Sequence, residues 1–66
     1  MFATLTPVNS SAIRAVGYDG HTLAVLFVTS DTIYYHHGVP YEVYAEFMHA
    51  SSMGAYYNRY IRGKYQ

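Results

Sequence analysis

Short apolar runs separated by polar breaks divide the chain into two halves with different periods. From Ile13 to Tyr18 the residues read as a strand, and Asp19-Gly20 follows it directly. Asp-Gly between two β-prone runs predicts a hairpin, because glycine takes the positive φ of a tight turn. Thr22 to Val28 is the return strand, with Leu23, Val25 and Phe27 on one face and Thr22, Ala24 and Leu26 on the other. Both faces are apolar enough for a central strand. Thr29-Ser30-Asp31 forms the next turn, Thr32 to His36 a third strand, and Gly38 ends it. Residues 1–9, with their Thr-Pro and Asn-Ser steps, read as a lead-in.

The period then changes. Pro40 suits a first helical turn, where a missing N–H costs nothing. Val43, Phe47 and Ala50 recur at helical spacing, with Tyr44 and Met48 beside them, while Glu42 and Glu46 face outward. Ser51 or Ser52 can cap a following helix. In that helix Tyr57 and Ile61 share the inward face, Asn58, Arg62 and Tyr65 form a neighbouring stripe, and Arg59 lies close to Arg62 across one turn. Strands followed by helices predict an α+β fold: a three-stranded antiparallel sheet followed by two short helices, near 40–49 and 52–62, packed on one face. The expected core is Val25, Phe27, Val43, Phe47, Tyr57 and Ile61.

Composition changes the picture in two ways. Sixty-six residues make one domain, and a chain this short buries only about 60% of its unfolded surface. With no cysteine, nine tyrosines and three phenylalanines carry the apolar load. So many rings exceed one small core, which predicts exposed aromatics and self-association. The formal net charge is zero, yet all four acids precede residue 50 and three of the four bases (Arg59, Arg62, Lys64) follow it. The C-terminal third is therefore locally basic. No apolar run approaches the roughly 20 residues of a membrane span, and the start lacks a signal-peptide pattern. A cytoplasmic protein with no membrane partner is expected.

Several residues carry a family resemblance. They are Ser10-Ser11, Val16-Gly17-Tyr18-Asp19, the Leu23/Val25/Phe27 strand, Val39-Pro40 with Tyr44, and Ala50-x-Ser52-x-Gly54-x-Tyr56-Tyr57-Asn58-x-x-Ile61-Arg62. Over about residues 8 to 65 the chain resembles the KTSC domain, a short module named from the C-terminus of some lysyl-tRNA synthetases. The domain also stands alone in bacteria and phages. The resemblance brings no established activity; RNA binding is its suggested association. It implies a Tyr-x-Tyr in the third strand, where this chain has Tyr34-Tyr35-His36 and so a histidine at the second position.

The chemistry-bearing residues point away from catalysis. His36 and His37 are adjacent and face opposite sides of a strand, and no histidine pair has zinc-site spacing, so no metal and no cofactor is expected. Ser10, Ser11, Ser51 and Ser52 have no nucleophile-elbow setting; Ser52 reads as a helix cap. Asp19 belongs to a turn, and Gly17, Gly20, Gly38, Gly54 and Gly63 form no phosphate loop. What remains is recognition. Tyr34, Tyr56, Asn58, Arg59, Tyr60, Arg62, Lys64 and Tyr65 mix cations with stackable rings, the combination that binds single-stranded nucleic acid. The expectation is a non-catalytic module for RNA or single-stranded nucleic acid. The alternative is a protein-interaction or homo-oligomerising module, with a small-ligand pocket at a subunit seam.

Overall fold

The computed structural model describes residues 5–30 and 32–65. Four strands form one antiparallel sheet in the order β1-β2-β3-β4: β1 (Thr6–Pro7), β2 (Ile13–Tyr18), β3 (Thr22–Phe27) and β4 (Ile33–His37). The sequence predicts three strands. The fourth is the two-residue β1, which lies inside the expected lead-in and pairs Thr6 with Val16 and Pro7 with Ala15. A strand this short, half of it proline on a sheet edge, leaves no alternation to read. Of the expected Thr29-Ser30-Asp31 turn, Asp31 lies outside the described residues.

The Asp19-Gly20 turn forms as its chemistry requires. Gly20 has φ 96°, and the Asp19 carboxylate accepts the backbone N–H of His21 and of Thr22 at 2.9 and 2.7 Å. Those two bonds stabilise the ionised form and hold Asp19 below the usual carboxylate range. Earlier in the hairpin the register shifts between Ile13 and Ala15, which pair with Phe27 and Leu26. Arg14 is the extra residue of a β-bulge. The bulge breaks the period of two, so Ile13 and Val16 both face inward although they are three apart. The opposite face has small residues at its centre, with Gly17 set against Ala24.

Helix α1 (Tyr41–His49) starts one residue later than the Pro40 signal suggests: Pro40 is the N-cap, extended at ψ 154°, and its carbonyl accepts from Val43 and Tyr44. Ala50 ends α1 in an extended conformation. Ser52 then caps α2 (Met53–Tyr56), its Oγ accepting the Ala55 N–H at 3.3 Å. Gly54 lets α2 close on the segment just ahead of β2, since a Cβ there would stand 3.1 Å from the Ala12 Cβ. The helix next widens into a π-turn over Tyr57–Ile61, closed by the Arg62 N–H on the Tyr57 carbonyl at 2.8 Å. The expected second α-helix is thus half α and half π.

Ile13, Val16, Leu23 and Val25 of the sheet, Val39 ahead of α1, Phe47 of α1, and Met53, Tyr57 and Ile61 of the C-terminal helix make the core. Of the expected core residues, Val25, Phe47, Tyr57 and Ile61 are buried, whereas Phe27 and Val43 are half-buried and packed against the others. Phe27 is held from full burial because it lines an open cleft at the end of β3. Both helices lie on one face of the sheet, as the pattern of strands then helices predicts.

Candidate nucleic-acid interface

The C-terminal helix divides its polar residues between two flanks. One flank meets the end of the β3–β4 hairpin. There Phe27 ends β3, and its ring stands edge-on to Tyr34 at 5.6 Å and to Tyr57 at 5.0 Å between centroids. The turn after β3 is held by the Ser30 N–H on the Phe27 carbonyl and the Thr32 N–H on Ser30 Oγ. Together Phe27, Thr29, Ser30, Tyr34, Tyr57, Asn58 and Arg62 line a cleft of about 300 Å³. No acid is among its described lining residues. Arg62 is exposed, and the one side-chain hydrogen bond it makes among the described residues goes to Asn58 Oδ1, at 3.4 Å. Tyr34 leaves 45% of its surface to solvent. The cleft thus offers an open ring, a guanidinium with most of its donors free, a carboxamide and two hydroxyls.

Tyr57 is the wall between this cleft and the core, at 6% exposure. Burial pushes its phenol above the ordinary value, and the charge of nearby Arg62 pulls it partly back. Its hydroxyl is satisfied by His36, whose Nε2 lies 2.8 Å away. His36 Nδ1 lies 3.1 Å from the Tyr65 carbonyl. A carbonyl can only accept, so Nδ1 carries a proton, and in the neutral imidazole Nε2 accepts from Tyr57. His36 therefore fastens the C-terminal tail to β4. His37, pointing to the other face, meets Thr22 Oγ1 at 3.0 Å. The adjacent histidines do face opposite sides. Among the described residues, no three His, Cys, Asp or Glu side chains gather as a metal site.

The other flank carries Tyr56, Arg59 and Tyr60, which with Ala50, Ser51, Ser52 and Ala55 border a shallower hollow of about 330 Å³. The Tyr56 and Tyr60 rings lie 4.6 Å apart, and the Tyr56 hydroxyl donates to Glu46 Oε1 at 2.8 Å. Burial, and after it Glu46, push the Tyr56 phenol up to about 12. Here a carboxylate from α1 sits beside the rings.

The eight residues singled out from the sequence do not form one platform. Tyr34, Asn58 and Arg62 come together; Tyr56, Arg59 and Tyr60 form a second group; Lys64 is exposed, and Tyr65 is half-buried against the core. The expected Asn58–Arg62–Tyr65 stripe loses its last member, because the chain turns after Ile61 and packs Tyr65 toward His36. Arg59 and Arg62 line different hollows. Sequence reasoning missed Phe27, Thr29 and Ser30 as cleft walls and His36 as the clamp. The one available sign was His36 standing where the resemblance implies a tyrosine. A further hollow, about 410 Å³, lies between residues 8–12 and the α1–α2 junction. Its described lining residues carry no charge, and the Ser10 and Ser52 hydroxyls there already accept backbone N–H groups.

Comparison with known proteins decides the family. The KTSC domain model matches residues 9–65. The chain belongs to the KTSC domain family. A KTSC domain protein from Yersinia pestis has a crystal structure that superposes with a TM-score of 0.88 at 34% identity, covering 96% of this chain and 90% of that one. A protein of Tsukamurella paurometabola is 33% identical over 63 residues, 94% of each chain. The fold is therefore the α+β fold of this KTSC relative. No helix among the described residues is long and apolar enough to cross a membrane.

Proposed function

We propose that this KTSC domain is a non-catalytic recognition module for single-stranded nucleic acid, RNA first. It would take one nucleotide at a time in the cleft between Tyr34 and the Asn58–Arg62 stripe. One observation carries the reading: an open aromatic ring and a largely unspent guanidinium line the same cleft, with no acid among its described lining residues. A base stacks on Tyr34 and a phosphate takes the Arg62 fork. Thr29 and Ser30 hydroxyls donate to the same phosphate, and the Asn58 carboxamide reads a base edge. Duplex bases are buried in their own stack, so an unpaired strand is the fitting ligand.

The electrostatics set the strength. One guanidinium in the cleft and zero net charge give a short, weak footprint, with a dissociation constant of about 10⁻⁵–10⁻⁴ M at moderate salt. A fluorescence-anisotropy titration with mixed-sequence single-stranded RNA tests this. Saturable binding at about 50 mM salt that weakens as salt rises is the expected result. A folded protein that leaves the anisotropy flat at that salt would remove the reading.

A further inference from the structure

The Tyr56–Arg59–Tyr60 flank is poorly suited to a phosphate, because Glu46 lies against its rings. What it does show is an ordered arrangement of charge. Glu46, exposed on α1, meets the ring pair at the Tyr56 hydroxyl, and Arg59 borders the same rings from the C-terminal helix. Tyr60 between them is 45% exposed. The Arg59 side chain makes no hydrogen bond or ion pair among the described residues, and Glu46 spends only Oε1, on Tyr56.

A patch with acid on one side, base on the other and rings between matches a surface with the same signs in reversed order. A second copy of this chain turned by a two-fold axis presents that order, since each residue of an isologous interface meets the mate of its opposite. Tyrosine and arginine are also the types that dominate interface energies. We infer that two copies of this chain dock through this flank, the Tyr56–Tyr60 rings at the axis and Arg59 of each against the partner's Glu46. The contact leaves the Tyr34–Arg62 cleft open on both copies, so it stands or falls separately from the nucleic-acid reading.

Sedimentation equilibrium of the whole chain up to about 1 mM tests it. A concentration-dependent monomer–dimer equilibrium is expected. Arg59→Glu turns two attractions into two repulsions and raises the dissociation constant at least about tenfold; Glu46→Lys does the same. The double variant Arg59→Glu/Glu46→Lys exchanges the signs and restores the wild-type constant. Circular dichroism checks each fold. Glu46→Lys removes the acceptor of the Tyr56 hydroxyl, whereas Arg59→Glu disturbs no fold contact and keeps the test valid if the first does not fold. A monomer at every concentration, or dimerisation unmoved by Arg59→Glu, would overturn the inference. So would a folded double variant that stays as weak as the singles.

Discussion

The two flanks of the C-terminal helix are built from the same residue types and differ in what other elements set beside them. On one, Arg62 and Asn58 face the open ring of Tyr34 and the hydroxyls of the β3–β4 turn, with no acid among the described residues of the cleft. On the other, Arg59 and Tyr60 share their surface with Glu46, delivered by α1 and bonded to Tyr56. A guanidinium beside rings is an anion site only where the rest of the fold leaves it unopposed. The difference comes from α1 and the hairpin, not from the helix itself.

Beneath both flanks lies Phe47, fully buried, its ring 6.0 Å from Tyr56 and 6.3 Å from Tyr57 between centroids. Phe47→Ala should cost about 3–5 kcal/mol, which can unfold a domain whose whole stability is about 5–15 kcal/mol or less. A urea melt showing a loss below about 1 kcal/mol would mean that the two flanks do not share one core. Next in size is the ring in the cleft. Tyr34→Ala should weaken RNA binding by about 1–3 kcal/mol, while Tyr60→Ala leaves it unchanged; equal losses in anisotropy titrations would erase the distinction between flanks.

His36→Phe tests what holds the cleft wall in place. It strips the partner from the Tyr57 hydroxyl, which is buried, at a cost of about 1–3 kcal/mol. The thermal melt should fall, and the RNA affinity measured well below that melt should fall with it if Tyr57 positions the wall. The smallest effect concerns Tyr56. Its phenol titrates near 12 against an ordinary 10.0, a raised value, so folding favours the neutral form. That contribution to stability is fully present below pH 10 and is lost as pH rises toward 12. In a spectrophotometric titration, Glu46→Gln should bring this phenol part of the way back toward the ordinary value, because it removes the carboxylate charge that, after burial, holds it up.

Much of the fold was legible because its cues are local. Asp19-Gly20 specifies the hairpin through backbone conformation and two side-chain bonds, and Phe47 with Val43 gives a helical period. Ser52 announces the cap by its position before the C-terminal helix. Three features stayed hidden because they depend on partners distant in sequence. The Arg14 bulge aligns Ile13 with Val16 against the period of two, β1 is too short to alternate, and the π-turn at Tyr57–Ile61 has the same composition as an α-helix. The site was half legible. Residue types marked Tyr34, Asn58 and Arg62, but the split from Arg59 and Tyr60 is fixed by where Glu46, Thr29 and Ser30 arrive in space. His36 reads as an isolated imidazole in the sequence, and its role appears only when Tyr57 and the Tyr65 carbonyl converge on its two nitrogens.

The most direct test of the cleft is the slope of log affinity for single-stranded RNA against log salt, measured for wild type, Arg62→Ala and Arg59→Ala. Arg62→Ala should lower the slope by about 0.7, the loss of one phosphate contact on a single strand. Arg59→Ala should leave it near wild type. Equal slopes for the two variants, or a larger drop for Arg59→Ala, would contradict the assignment of the nucleic acid to the Tyr34–Arg62 flank.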